Sequence, residues 1–365
     1  VFSGKKQWIT ETVKGGKRDA QRRLAQLVAE VDAGKAVPTE ATLDVLVAKF
    51  LEHGSTVRGW SPTTTDGYRL KLGHGCDVFG KHKLGSIRPD QLDAYYERRI
   101  SQLSLKGSRN PALTVRHEHR VLSTAFHQAV RWGWMDRNPC DRATPPSAQA
   151  RDVGAPEVAT VQAAIEAATA SRNDARAPLL TFIALTGMRR GEVCGLRWSD
   201  VDHLRSQVAV QRAVIQPRGQ GVVVRPWPKT KKPRLVALDE LGKAVLAERL
   251  VYCQAEAAKA GTSLAVDSYV WSDDPDGATP LKPGTLTQYV GRLGRRLGVT
   301  MGPHQFRHFA ATFLIGEGHD LRTIASRLGH DPVILMRIYA HRIAARDQAA
   351  AKSIGRALGA GAPTL

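Results

Sequence analysis

Residues 302 to 314, GPHQFRHFAATFL, hold two chemistries at two spacings. His304 and His308 stand four apart on what the pattern predicts to be a helix, the spacing at which two imidazoles can share one zinc ion. His304 and Arg307 stand three apart on the same helix, a spacing that could grip a phosphate instead. A zinc protease of the H-E-x-x-H kind needs a Glu beside its first His as general base, and here the neighbour is Gln305. A neutral amide takes no proton from metal-bound water, and Arg307 would set a cation beside a dication. The HEH at 117 to 119 is no stronger, since residues two apart diverge on a helix, and it reads as solvent-exposed histidine. The phosphate reading starts better. Pro303 suits a first helical position, so His304 and Arg307 fall in a first turn, where unpaired N–H groups and the helix dipole favour an anion.

Three further stretches carry groups of the same kind. In TGMRRGEVCGLRWSDVD (186 to 202) a helix breaks at Gly187, and Arg189 opens the next one with Glu192 a turn later to hold its guanidinium. PKTKKPRLVAL (228 to 238) sets Lys229 in a turn between two strands, with Lys231 and Lys232 as close competitors. SRLGHDPVILMRIYAH (326 to 341) ends a helix at Gly329, leaves His330 in a tight turn, restarts at Asp331-Pro332 and presents Tyr339 nine residues after His330. Each has a plain structural reading: a surface ion pair for Arg189 and Glu192, a helix cap for Gly329, a core side chain for Tyr339. Together and in this order, the Arg, Lys, HxxR, LGH and Tyr groups resemble the tyrosine recombinase family, the phage-type integrases. The likeness covers about 156 to 345 and, more loosely, the helical region before it.

The resemblance implies a site-specific DNA recombinase that cleaves and rejoins strands through a 3′-phosphotyrosyl intermediate, integrating or excising a phage or mobile element. The implied catalytic residues are Arg189, Lys229, His304, Arg307, His330 and the nucleophile Tyr339, with Glu192 supporting Arg189. Lys229 is preferred to Lys231 and Lys232 because the family's Lys stands at the turn before the strand that RLVAL supplies. Transfer of a phosphodiester to a protein nucleophile and back needs neither cofactor nor metal, provided cations stabilise the pentacoordinate transition state. Arg189 and Arg307 would clamp the non-bridging oxygens and His330 would donate to them. Tyr339, with a free pKa of about 10, needs a nearby base, for which His304 is implied, and Lys229 would protonate the departing 5′ oxygen. Two alternatives use the same residues differently: a type IB topoisomerase-like nicking-closing enzyme, and a catalytically silent architectural DNA-binding protein.

The elements that must position these groups predict a mainly α fold with a small antiparallel β-sheet in the catalytic domain. KKQWITETVK (5 to 14) has the content of a strand, and KRDAQRRLAQLVAEVDAG (17 to 34) has helical periodicity with Leu24, Leu27, Val28 and Val31 on one stripe. Residues 1 to 37 resemble the remnant of an arm-site DNA-binding domain and its connector helix; Val1 is not an initiator Met, which leaves room for residues upstream. A helical region over 38 to 143 resembles a core-binding domain, with Ser61-Pro62 opening one helix and LTVRHEHRVLSTAFHQAVRWGWM (113 to 135) forming a long one. Lys106, Arg116, His119 and Arg120 there would contact DNA phosphates. A proline-rich linker is expected over 144 to 155 and the catalytic domain over 156 to 365. Within it, QVAVQRAVI, GVVVRPW and PRLVAL predict three strands of one sheet, and the remainder reads as helices. The last helix, about 344 to 357, resembles the tail that family members dock on a neighbouring protomer.

Charge and cysteine usage agree with a polyanionic partner. The 365 residues carry 53 Lys plus Arg against 34 Asp plus Glu, a net +19, where ordinary small domains sit at a magnitude of about 2 to 8. No stretch approaches the roughly 18 apolar residues of a membrane span, and no secretion signal is evident. Cys76, Cys140, Cys194 and Cys253 stand far apart, which predicts free thiols in a reducing compartment, the cytoplasm. The implied partners are double-stranded DNA at attachment sites and three further copies of the chain in a homo-tetramer, with a directionality factor and a host DNA-bending protein as accessory proteins.

Overall fold

A computed structural model of the chain describes residues 12–32, 40–148, 154–170, 176–227, 232–265, 267–333, 335–336 and 347–359. They fall into two compact units divided between residues 152 and 153. Most of the expected N-terminal strand lies outside the described residues, and 12 to 14 carry no strand. Helix α1 (Lys17–Asp32) follows, with Leu24 and Val28 of its apolar stripe exposed.

The first unit is built from α2 (Leu43–Thr56), α3 (Pro62–Phe79), α4 (Pro89–Leu105) and α5 (Pro111–Arg131). Side chains cap the helices at sequence-legible places: Ser61 Oγ accepts from the Thr64 amide and Asn110 Oδ1 from the Leu113 amide. Val115, Leu122, Ala125, Phe126 and Ala129 recur at helical spacing along α5 and are buried against Leu46, Phe50, Leu72 and Leu92 of its neighbours. Glu118 shares that inward face. It is buried because Tyr95 Oη and Arg99 both donate to its carboxylate.

The second unit opens with α6 (Val158–Thr169), α7 (Ala177–Thr186) and the short α8 (Arg190–Cys194). Strands β1 (Val201–Asp202), β2 (Gln207–Val210), β3 (Ala213–Ile215), β4 (Val223–Arg225) and β5 (Arg234–Ala237) come next, and all their pairings are antiparallel. The single three-stranded sheet expected from sequence is two sheets, β1-β2-β5 and β3-β4. QVAVQRAVI breaks at Gln211 and Arg212, where Arg212 turns its guanidinium onto the buried Asp200 carboxylate. Helices α9 (Glu240–Lys259), α10 (Pro283–Arg296), α11 (Pro303–Glu317), α12 (Leu321–Leu328) and α13 (Asp347–Gly359) follow among the described residues.

Helix α7 is the centre of this unit. Leu179, Leu180, Phe182 and Ile183 are fully buried, and α6, α9 and α11 pack around them. An all-round apolar helix can only sit inside a core, so its two ends become fixed points. Its C-terminus closes on Gly187 at φ +62°, the left-handed cap open to glycine. A Cβ at Gly187 would lie 2.3 Å from Leu328 Cδ2 of α12, so the close approach requires glycine as well. Gly187→Ala is therefore expected to cost about 1–3 kcal/mol. Chemical denaturation would show this as a lower midpoint with an unchanged slope; a midpoint equal to wild type would contradict it.

Candidate active site

Three chain segments meet at the ends of α7, α11 and α12. After Gly187 the chain runs through the buried Met188 to Arg189, whose extended backbone opens α8. Glu192, one turn on, accepts from the Arg189 backbone amide at 3.0 Å and from Arg189 Nη1 at 2.8 Å. The Glu192 side chain is only 1% exposed, and its second oxygen also accepts from Arg234 Nη2 at 2.7 Å. Burial acts to raise the pKa of this carboxyl, but the hydrogen bond from Arg234 and the charges of Arg234 and Arg189 outweigh it. They hold Glu192 below the usual carboxylate range.

Helix α12 ends in a Schellman arrangement: the His330 amide reaches Ala325 O, the Gly329 amide reaches Ser326 O, and Gly329 takes φ +64°. Two of the carbonyls this cap leaves over are taken by arginines. Arg189 Nη2 donates to Gly329 O at 2.5 Å and Arg234 Nε to Arg327 O at 2.9 Å. Arg327 itself donates to Leu185 O at 2.9 Å and to Ala237 O at 3.1 Å, joining α12 to the end of α7 and of β5. Arg307, 4% exposed on α11, donates to Gly187 O at 2.7 Å. Guanidiniums thus stitch the negative ends of two helices together, a pairing the helix dipole favours.

His304 lies in the first turn of α11, which has no side-chain N-cap. His330 follows the Gly329 turn, and its Nδ1 is buried without a hydrogen-bond partner. Burial, then the charges of Arg307 and Arg189, push the His330 imidazole down to about 3. His304 is solvent-accessible, yet partial burial and then Arg307, His308, Arg190 and Arg189 lower it too. Both imidazoles therefore feel the same two arginines. The arrangement is an electropositive cluster with one buried carboxylate, suited to an anion.

Arg189, Glu192, His304, Arg307 and His330 are thus brought together, while Lys229, Lys231 and Tyr339 lie outside the described residues. Lys232 is exposed. In the first unit, Lys106 and Arg120 are exposed, and Arg116 donates to Ala148 O at 3.1 Å. His119 is half-buried with Nδ1 2.8 Å from Tyr96 Oη, and burial and then the neighbouring Arg120 lower its pKa, which keeps it neutral. His117 is the exposed histidine of that pair. Sequence reasoning missed Arg234 and Arg327. A signal for Arg234 existed: it alternates with the buried Val236 on β5, so it faces inward and needs a buried partner.

The model of the phage integrase family matches residues 157–346, more than half of the chain. The chain belongs to the phage integrase family. It is 27% identical over 277 residues to the tyrosine recombinase XerC-like protein of Caldanaerobacter subterraneus, covering 72% of this chain and 69% of that one. The solved Tn1549 transposon integrase, in complex with transposon right end DNA, superposes with a TM-score of 0.69 at 19% identity. That match covers 86% of this chain and 100% of the other. A lambda integrase tetramer bound to a Holliday junction gives a TM-score of 0.56 at 17% identity, covering 86% of each chain. This phage integrase family member is a tyrosine-type site-specific recombinase.

The depressed imidazole gives a direct test of anion binding in the recombinase. His330 should stay neutral in NMR titrations down to low pH, and inorganic phosphate should move its midpoint upward, because an anion offsets Arg189 and Arg307. The linkage has a definite sign. Between about 3 and the unfolded value of about 6.5 the unfolded chain binds the extra proton, so His330 makes stability rise with pH across that window. His330→Asn should flatten that part of the profile, and an unchanged slope would contradict the assignment.

Proposed function

We propose that this chain breaks and rejoins double-stranded DNA at attachment sites, with Tyr339 as nucleophile and the wall formed by Arg189, Arg307, His304 and His330 as the phosphate site. The observation that carries this is the set of guanidiniums and neutral imidazoles gathered at the ends of α7, α11 and α12 around one buried carboxylate. Arg189 presents five N–H donors and spends one on Glu192 and one on Gly329 O. Its remaining donors and those of Arg307 would hold the two non-bridging oxygens as charge builds on them.

In the proposed step, Tyr339 Oη attacks phosphorus while His304, neutral at physiological pH, accepts the phenol proton. The bond from phosphorus to the 5′ oxygen breaks, and Lys229 supplies the proton that oxygen needs. A 3′-phosphotyrosyl link and a 5′ hydroxyl result. Attack by the hydroxyl of a partner strand reverses these transfers and restores Tyr339. Bond count and charge balance without metal or cofactor.

A homo-tetramer on DNA is the proposed active form, and the second unit offers a surface for it. Phe309, Phe313, Leu314 and Ile324 line an apolar groove of about 400 Å³ between α11 and α12, and α13 exposes Ile354 and Leu358 four residues apart. Docking of α13 from one copy into the groove of the next would link protomers. Double-stranded attachment sites are the proposed substrate, the recombination of a phage or mobile element the proposed role, and a directionality factor and a DNA-bending protein the proposed accessories. The four thiols, free in the structure, accord with a reducing cytoplasm.

A nicked suicide duplex cut from the DNA flanking the gene tests the chemistry. Wild type should give a denaturation-resistant protein–DNA adduct in the presence of EDTA, and Tyr339→Phe should give none; adducts that persist in the Phe variant would sink the assignment. Relaxation of a supercoiled plasmid that lacks the sites would favour the topoisomerase-like alternative. Phe313→Asp should preserve the adduct while lowering complete strand exchange and the mass of the protein–DNA assembly, measured by light scattering.

A further inference from the structure

Glu192 sets a charge problem that Arg189 cannot solve alone. A carboxylate with a side chain 1% exposed needs a cation, and one paired only with Arg189 would cancel the positive charge a phosphate must meet. Arg234 changes that balance. Its Nη2 donates to Glu192 Oε2 at 2.7 Å while Arg189 Nη1 takes Oε1 at 2.8 Å, so two guanidiniums share one carboxylate and one net positive charge remains.

The same side chain fixes geometry. Arg234 Nε holds Arg327 O at the end of α12, and a Cβ placed on Gly329 would come within 3.0 Å of Arg234 Nη1 and 3.3 Å of Arg189 Nη1. Gly329 is therefore required twice, by its φ of +64° and by the two guanidiniums laid against it. His330 is the next residue, so its place follows from theirs. Arg234 also begins β5, the strand directly after the segment that carries Lys229 in sequence.

We infer that Arg234 is a positioning residue of the recombinase: it neutralises Glu192 so that Arg189 is oriented without losing its charge, and it locks the turn that carries His330. This rests on the phosphate-site reading proposed above. Arg234 touches no substrate in this role, since its side chain is only 7% exposed, with Nε on Arg327 O, Nη2 on Glu192 and Nη1 buried. A lysine keeps the charge but has a single terminal nitrogen, so it cannot hold the Glu192 carboxylate and Arg327 O in one fork.

The experiment compares the full chain with Arg234→Met and Arg234→Lys, reading inorganic phosphate binding from the His330 imidazole resonance alongside thermal midpoints. Arg234→Met should weaken phosphate binding by about tenfold or more, because Glu192 then cancels Arg189. It should also raise the titration midpoint of His330 in the absence of phosphate. Arg234→Lys should recover part of the affinity, and it decides the matter if the Met variant does not fold. Thermal midpoints that fall while phosphate affinity and the His330 titration match wild type in every folded variant would overturn the inference, leaving Arg234 a purely structural ion pair. A wild-type His330 that ignores phosphate would instead overturn the phosphate-site reading, and that is seen before any variant is compared.

Discussion

The buried carboxylate of Glu192 is the constraint on which the site depends. An ionised carboxylate taken out of water costs several kcal/mol unless charged donors replace the lost hydration. Here Arg189 and Arg234 supply them from two directions, one at the residue that opens α8 and one on β5. Because each has a second bond to the end of α12, the carboxylate fixes three elements with one charge. The short α8 makes this possible: five residues of helix give just the turn that returns Glu192 to the amide and guanidinium of Arg189.

Helix ends do the rest. The carbonyl ends of α7 and α12 are electronegative and would be poor places to bring a phosphate. Arg307 on Gly187 O, Arg327 on Leu185 O and Arg189 on Gly329 O cover those ends with positive charge. The amide end of α11 needs no such cover. With glycine as N-cap and proline after it, its first turn presents His304 beside amides that no capping side chain occupies. The fold therefore masks two helix ends and exposes one, and the sign of the cluster follows.

Much of this was legible in the sequence where a local rule decides. Ser61-Pro62, Pro303 and Gly329 mark helix ends through capping chemistry that neighbours hardly alter, and each stands at the terminus it predicts. The spacing of Arg189 and Glu192 likewise states a contact within one turn. Rules that need a partner from elsewhere in the chain were less visible. The strand pattern of 207 to 215 runs unbroken in sequence, and only the distant Asp200 explains why Arg212 divides it into two sheets. Arg234 looked like one more of 53 basic residues until the burial of Val236 showed which way it faces. His119, expected to be solvent-exposed and to contact phosphate, is instead half-buried against Tyr96, a residue 23 positions away.

The depressed titration of His330 links this architecture to the order of events in the proposed reaction. Arg189 and Arg234 share one carboxylate, and the imidazole beside them relieves the repulsion by remaining neutral. At the proposed site a phosphodiester would bring a negative charge to the place where that repulsion is centred, so binding substrate and raising the proton affinity of His330 would be one linked equilibrium. His304 is subject to the same linkage through Arg307 and Arg189. The two histidines differ in what they must do next. In the proposed reaction a base that takes the Tyr339 proton has to begin neutral, and burial and the neighbouring cations favour that form of His304. A charged donor to the phosphate oxygens has to be protonated, and a bound phosphate would favour that form of His330 by raising its pKa. In the proposed reaction one cationic cluster would therefore prepare a base and an acid from the same kind of side chain, because the scissile phosphate would enter the electrostatic balance of both.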